Sequence, residues 1–205
     1  MSRSLAEWLD WQASIHPRTI ELGLERMRAL LARLPVTRPA GPVIVVGGTN
    51  GKGSVSAYLE AVQSAAGLKV GTYTSPHLVE YNERIRIGGR SITSDALCAA
   101  FEIVEAARGD LALTFFEYGT AAALVAFTQA GVDAWVLEVG LGGRLDAVNA
   151  IDGDAAVVVS IGLDHMDWLG PDLESIGREK AGIFRAGRPA VLGARQMTGA
   201  VAAPE

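Results

Sequence analysis

A short apolar run that enters a glycine-rich loop constrains the fold of this chain more than any other feature. Residues 43–46 are typical of a buried strand, and they lead directly into residues 47–54, which contain four glycines, a lysine and a serine. Glycines cluster in the same way after other apolar runs, at 140–143 and at 162. This alternation is the signature of α/β architecture. The sequence therefore predicts a mostly parallel sheet with helices on both faces.

Apolar periodicity and turn residues assign the other elements. Ser4 and Glu7 fit a capping box that opens a helix through about Ala13, and a second helix ends near Pro35. A Gly88-Gly89 turn predicts a hairpin over 84–93. We predict helices at 52–66, 95–107, 116–130 and 175–184, and strands at 43–46, 70–74, 134–138, 155–161 and 189–192. This places N-terminal helices at 4–34 and a sheet core at 43–192 within one domain, 1–205, with a weakly patterned tail from Gly193.

Composition excludes several classes of protein. With 205 residues, of which 49% are apolar, the chain buries enough surface to fold, so it is not intrinsically disordered. Its net charge of -5 argues against a nucleic-acid partner, and the single Cys98 excludes an intramolecular disulfide. No apolar run reaches the roughly 18 residues of a membrane span, and no signal peptide is visible. We therefore expect a cytoplasmic protein without a membrane partner.

The loop at 47–54 has the chemistry of a phosphate cradle. Glycines let backbone N–H groups approach phosphate oxygens, and the N-terminus of the following helix adds positive charge. Lys52 would face the outer phosphates, and the Ser54 hydroxyl would face Mg²⁺. The loop departs from the common P-loop pattern, because Gly53 is inserted between the lysine and the serine. The alternative is an ordinary strand-to-helix turn with a solvated lysine.

Two further predicted strands also end in chemically active residues. Glu138 closes a buried strand, where a carboxylate ligand of a nucleotide-bound Mg²⁺ belongs. Asp164 and His165 follow another strand. A lone histidine is more often structural, and Mg²⁺ prefers oxygen ligands. The meeting of Lys52, Glu138 and His165 at neighbouring strand ends nevertheless favours a functional role.

Other polar residues leave alternatives open on chemistry alone. Arg144 is suited to holding an anion and Asp146 to accepting hydrogen bonds from a substrate, or the two pair as a loop salt bridge. Lys180 has the pattern of a solvated helix lysine. Glu117 and Tyr118 are suited to capping or packing a helix.

Six motifs in order resemble those of bifunctional dihydrofolate synthase/folylpolyglutamate synthase, a branch of the Mur-ligase-like ATP-dependent amide ligases. The resemblance runs from about Leu5 to Leu192. The motifs are GTNGKGS at 48–54, TSPHL at 74–78, FEYGT at 116–120, LEVGLGGRLD at 137–146, DH at 164–165 and REKAGIF at 178–184.

The resemblance implies a fold and a reaction. The fold is a P-loop three-layer sandwich of the Mur-ligase central-domain type. The substrates are ATP, L-glutamate and either dihydropteroate or a reduced folate. ATP phosphorylates the carboxylate of the pterin substrate to an acyl phosphate, which the glutamate amine then attacks. Because phosphoryl transfer depends on positioning and charge neutralisation, a P-loop, cations and Mg²⁺ suit it.

The resemblance also implies site residues by position. The nucleotide phosphates bind Thr49, Asn50, Gly51, Lys52, Gly53 and Ser54. One or two Mg²⁺ ions bind Ser75, Glu138, His165 and Lys180, the last as a lysine carboxylated by CO₂. Lys52, His165 and Lys180 are the catalytic residues. The pterin site is lined by Ile20, Glu21, Leu22, Thr114, Phe115, Phe116, Glu117, Leu145, Asp146 and Ala147.

Relatives in this branch carry a second α/β domain, which we expect to be missing here. We therefore expect a monomer with little or no ligase turnover by this chain alone. Two alternatives remain. One is another Mur-type ligase, acting on a UDP-sugar peptide, although the motifs at 74–78 and 116–120 favour the folate branch. The other is a non-catalytic fragment that binds nucleotide.

Overall fold

A seven-stranded sheet organises the chain in the computed structural model, which describes residues 3–16 and 20–193. The strands are β1 Val43–Gly47, β2 Val70–Tyr73, β3 Ile85–Ile87, β4 Arg90–Ser91, β5 Ala134–Glu138, β6 Ala155–Val158 and β7 Ala190–Leu192. Their order is β4-β3-β2-β5-β1-β6-β7. β2, β5, β1, β6 and β7 run parallel, whereas β3 and β4 form an antiparallel hairpin at one edge. The predicted mostly parallel sheet is confirmed.

Seven α-helices and two short 3₁₀ segments connect the strands within the described ranges. The helices are α1 Leu5–Ile15, α2 Glu25–Leu31, α3 Lys52–Ala65, α4 Ser94–Arg108, α5 Phe115–Ala130, α6 Met166–Leu169 and α7 Leu173–Ala181. The 3₁₀ segments are Tyr81–Arg84 and Ala147–Ala150. The described helices do not include one that is long and apolar enough to cross a membrane.

Side-chain alternation along the strands divides the molecule into three layers. Val46, Val70 and Val136 point to one face, where Val55 and Leu59 of α3 cover them. The opposite face packs on α5, which is buried continuously from Glu117 to Phe127 because α1, α2 and α4 enclose it. Burial on both faces explains why the central strands are continuous apolar runs rather than alternating ones.

The predicted elements are all present, but three boundaries differ for physical reasons. α2 ends at Leu31 rather than near Pro35: Ala32 still has helical φ and ψ, but the chain then passes through a turn to Leu34, where the following proline disfavours helical conformation. α7 covers Leu173–Ala181 because Asp172 forms a capping box with Ser175 and because Gly182 packs against Arg144. β6 ends at Val158 rather than at 161, since Ser160 turns aside to bind the glycine-rich loop.

Two segments have no clear sequence pattern. α6 was not predicted, because its four residues are too few to show a helical period. The weakly patterned tail lies outside the described residues beyond Gly193.

Candidate active site

The carboxyl ends of four parallel strands meet at one edge of the sheet. The glycine-rich loop follows β1, Ser75 lies just after β2, Glu138 ends β5 and His165 follows β6. In open α/β sheets this edge is where ligands bind. The topology therefore gathers at one place the side chains that the sequence predicts for nucleotide and metal binding.

The glycine-rich loop has a conformation that glycine makes possible. Gly48 and Gly51 have φ of 141° and 85°, and a Cβ on Gly48 would lie 3.1 Å from the backbone nitrogen of Ser160. The backbone N–H of Thr49 donates to the carbonyl of Ser160 at 2.8 Å. The Lys52 ammonium donates to the carbonyls of Gly48 and Thr49 at 2.9 and 3.2 Å. The loop thus wraps its own lysine at the N-terminus of α3.

The remaining loop residues face solvent. Asn50, Gly51, Gly53 and Ser54 are exposed, and a Cβ on Gly53 would have no atom within 4 Å. The exposed N–H groups at the start of α3 and the adjacent lysine suit the phosphates of a nucleotide, because both present positive charge to an anion.

A cavity of about 340 Å³ opens beside the loop. Its lining includes Lys52, Ser75 and His165. It also includes nine of the ten residues assigned to the pterin site, namely Ile20, Glu21, Leu22, Thr114, Phe116, Glu117, Leu145, Asp146 and Ala147. Phe115 is outside this lining and instead packs edge-on against Tyr81, with ring centres 5.6 Å apart. The cavity connects the phosphate loop to three segments that are distant in sequence.

Arg26 fixes two of the three acidic side chains that line the cavity. Its Nε donates to both carboxylate oxygens of Glu117 at 3.0 and 3.2 Å, and its Nη1 bonds to Glu21. Glu117 also forms the capping box of α5 with Thr114. The capping role considered for Glu117 is therefore present, while Tyr118 packs against Trp8, Trp11 and Phe101. Sequence reasoning missed Arg26, since the bond to Glu117 joins residues 91 positions apart.

Asp146 organises the loop at 140–148 from inside. Its carboxylate accepts backbone N–H groups of Gly140, Leu141 and Val148 at 3.1, 2.9 and 3.0 Å. Burial raises the pKa of Asp146 to about 7, although these donors and the Lys52 charge oppose the shift. Arg144 pairs with Glu179 at 2.8 Å rather than with Asp146.

Glu138 is a buried carboxylate whose loss of solvation is only partly offset by hydrogen bonds and charges of the protein. It is 4% exposed, and its Oε2 accepts a hydrogen bond from the Ser75 backbone N–H at 3.1 Å. Burial raises the pKa of Glu138, while the Ser75 N–H and the positive charge of Lys52 partly offset the effect. A cation at this carboxylate would supply the missing charge, and carboxylate and hydroxyl oxygens are ligands that Mg²⁺ prefers.

Lys180 lies across the loop from Lys52. Both border a small cavity of about 20 Å³ with Thr49, Asp164 and His165. Lys180 is 4% exposed, so it is not the solvated lysine that its local pattern indicates. Burial and the nearby Lys52 charge lower its pKa to about 8, although Asp164 acts in the opposite direction.

His165 takes the position between the two cavities. It adopts a left-handed conformation with φ of 50°, which is uncommon for a non-glycine residue, and it precedes α6. Its side chain is half exposed, and its Nε2 lies 3.6 Å from Asp164. Across the described ranges, the acidic, histidine and cysteine side chains do not form a metal-holding group of three or more. The predicted metal set differs from such a group, because Ser75 and Lys180 supply two of its four members.

Comparison with known proteins agrees with this geometry. Residues 46–197 match the Mur ligase middle domain. The chain belongs to the Mur ligase family. That family assignment confirms the predicted architecture, a P-loop sheet with helices on both faces.

Within the Mur ligase family, the chain is similar to dihydrofolate synthase/folylpolyglutamate synthases. The chain is 56% identical over 198 residues to the dihydrofolate synthase/folylpolyglutamate synthase of Escherichia coli strain K12, covering 97% of this chain and 47% of that protein. It superposes on E. coli FolC in complex with DHPP and ADP with a TM-score of 0.96, at 55% identity, covering 98% of this chain and 49% of that one.

A second solved structure adds a metal ion to the comparison. It is a bifunctional folylpolyglutamate synthase/dihydrofolate synthase with Mn, AMPPNP and L-glutamate bound, with a TM-score of 0.91 and 51% identity, covering 98% of this chain and 49% of that one. This chain spans about half the length of the curated relatives that it matches. The resemblance inferred from the six motifs is confirmed.

Proposed function

We propose that this chain supplies the nucleotide and pterin sites of a ligase that uses ATP to add L-glutamate to dihydropteroate, giving dihydrofolate, and to reduced folates. The observation that carries the proposal is the cavity of about 340 Å³, because it joins Lys52 of the phosphate loop to the three segments assigned to the pterin. The relatives bear names with both activities, and one solved relative holds ADP together with DHPP.

Different groups in the site bind the phosphates and position the residues of the pterin wall. The loop N–H groups and Lys52 hold the phosphates, and Arg26 keeps Glu21 and Glu117 in fixed positions at the pterin wall. Gly140 leaves room for the Phe116 ring, since a Cβ there would lie 2.6 Å from it. Ser75, Glu138 and His165 would hold Mg²⁺, which would supply neutralising charge for the phosphates.

Lys180 has the properties needed for carboxylation. Its buried amine has a pKa of about 8, so a larger fraction is neutral near neutral pH than in an exposed lysine. The neutral amine attacks CO₂, a C–N bond forms and one proton is released, which leaves a carbamate with two oxygen donors. The product replaces a positive charge beside Lys52 with a negative one and provides a ligand for a second Mg²⁺.

Binding and turnover measurements test the function. We expect the 205-residue chain to bind both Mg-ATP and dihydropteroate, and to release little ADP when glutamate is added. A Gly140→Ala variant should weaken dihydropteroate binding, because its Cβ displaces Phe116. Calorimetry measures binding, and omission of each substrate in turn defines the ADP release. Binding of a UDP-sugar peptide in place of dihydropteroate would favour the other Mur-type ligases, and nucleotide binding alone would favour a non-catalytic fragment.

Native mass spectrometry tests the carbamate. At high bicarbonate, we expect the wild-type chain to gain the mass of one CO₂ and the Lys180→Ala variant to gain none. Lys69→Ala is the control. Lys69 lies at the amino end of β2, away from the site at the carboxyl end, and its ammonium donates to the Ala130 carbonyl. An adduct that persists in Lys180→Ala would assign the modification elsewhere.

A cytoplasmic location and a monomeric state belong to the same proposal. The monomeric state rests on the resemblance to the dihydrofolate synthase/folylpolyglutamate synthase branch. Cell fractionation and analytical ultracentrifugation check them.

A further inference from the structure

Arg84 lines the cavity of about 340 Å³, although the sequence did not single it out. It ends the 3₁₀ segment Tyr81–Arg84 and directly precedes β3. The cavity lining places it with Lys52, Ser75 and Pro76. Arg84 therefore lines the same cavity as Lys52 of the phosphate loop and the segments assigned to the pterin.

The Arg84 side chain is held from behind. Its Nε donates to Nδ1 of His77 at 2.8 Å, and its guanidinium carbon lies 5.1 Å from the centre of the Tyr81 ring and 5.7 Å from that of Phe115. Its carbonyl accepts the N–H of Thr74 at 2.9 Å, which anchors the backbone. These contacts fix the plane of the guanidinium, so little side-chain entropy is lost when it binds a ligand.

The outer edge of this guanidinium has no hydrogen-bond partner among the residues that the structure describes. Within residues 3–16 and 20–193, neither Nη1 nor Nη2 of Arg84 makes a hydrogen bond or an ion pair. The other charges at the cavity wall are already engaged. Arg26 binds Glu21 and Glu117, and Lys52 donates to its own loop. Arg84 thus presents a planar pair of donors that form no ion pair with a carboxylate in the described part of the chain.

We propose that Arg84 binds the carboxylate of the pterin acid and holds it toward Lys52 and Ser75. Two parallel N–H donors match two carboxylate oxygens, which is the geometry that arginine recognises in a planar anion. Ring contacts with Tyr81 and Phe115 keep the donors in place, and the phosphate loop lies at the same cavity. Arg84 is accordingly a substrate-binding residue that orients the group to be phosphorylated. This inference rests on the proposed function.

A matched pair of ligands separates carboxylate recognition from general effects on the cavity. The pair is dihydropteroate and an analogue in which hydrogen replaces the carboxylate. We expect Arg84→Gln to weaken binding of the acid about 10- to 100-fold, the usual effect of a lost charge-assisted pair, and to leave binding of the analogue unchanged. Arg84→Lys keeps the charge but loses the fork, so its effect should be intermediate.

Control measurements separate this role from the alternatives. Arg90→Gln, at an exposed position in β4, should change neither affinity, and Mg-ATP affinity should be the same in all variants. Equal weakening of both ligands, or no weakening of either, would overturn the proposal. A loss of Mg-ATP affinity with the acid unaffected would also overturn it, because Arg84 would then serve the phosphates. Wild-type protein that binds Mg-ATP but neither pterin would contradict the proposed function itself.

Discussion

Replacement of Lys52 by alanine should lower the affinity of the chain for Mg-ATP by at least about 100-fold. The ammonium lies at the N-terminus of α3 and is held by the carbonyls of Gly48 and Thr49 at 2.9 and 3.2 Å. Charge-assisted hydrogen bonds contribute about 1.5–3 kcal/mol each, and a tenfold change in affinity corresponds to about 1.4 kcal/mol. Loss of two such bonds to phosphate oxygens accounts for the expected effect.

The same substitution should alter the loop itself. Without the ammonium, the carbonyls of Gly48 and Thr49 lose their donor, so the loop is less ordered before the nucleotide arrives. It also removes the positive charge that helps to lower the pKa of Lys180, so that pKa should rise. The loss of affinity therefore combines a missing contact with poorer preorganisation of the loop.

Fluorescence titration with a labelled ATP analogue measures the Lys52 effect. Lys69→Ala is a suitable control, since its ammonium also donates to a backbone carbonyl but lies at the amino end of β2. We expect that variant to bind like wild type. Lys52→Ala with an affinity within about threefold of wild type would remove Lys52 from the phosphate site.

The sequence predicted the strand ends better than it predicted the walls of the cavity. Each strand end is a local pattern, an apolar run followed by glycine or a polar residue, and the parallel topology brings those ends together. The loop at 47–54, Glu138 and His165 could therefore be assigned to one edge from the sequence. Their metal-binding and catalytic roles stay predictions.

The cavity walls depend on contacts between residues far apart in the chain. β6 ends at Val158 because Ser160 leaves the strand direction, and its hydroxyl accepts a hydrogen bond from the N–H of Asn50, 110 positions away. Arg84 reaches the cavity because β3 pairs with β2, and Arg26 meets Glu117 across 91 positions. No local periodicity records such contacts. Position in the sequence can also mislead. Phe115 is next to Phe116 in the chain, but it packs against Tyr81 and does not line the cavity.

Removal of the Asp146 carboxylate should destabilise the folded chain more than removal of an exposed capping carboxylate. Asp146 is 2% exposed and accepts three backbone N–H groups. An alanine leaves those donors without an acceptor, at about 1–3 kcal/mol for each one that stays buried. We expect Asp146→Ala to lower the free energy of unfolding by about 3–5 kcal/mol, a large part of the roughly 5–15 kcal/mol of a typical domain.

A capping aspartate provides the matched control for this loss. Asp172 also accepts a backbone N–H, from Ser175 at 2.7 Å, but at an exposed helix start. Asp172→Ala should therefore cost only about 1 kcal/mol. Urea denaturation measures both variants. A loss below about 1 kcal/mol for Asp146→Ala would show that the loop reorganises to satisfy its donors.

Asp146 also makes stability depend on pH in a direction opposite to that of most surface carboxylates. Its pKa is about 7 in the folded chain against an ordinary value of 3.8, so between these values the native state holds a proton that the unfolded state has released. The contribution of Asp146 to the free energy of unfolding must then fall as pH rises through this interval. Asp146→Asn does not titrate at this position, so the stability of wild type relative to this variant should be greatest near pH 4 and decline until about pH 7. A difference that instead grows with pH would mean that the three backbone donors outweigh burial and keep the buried carboxylate ionised.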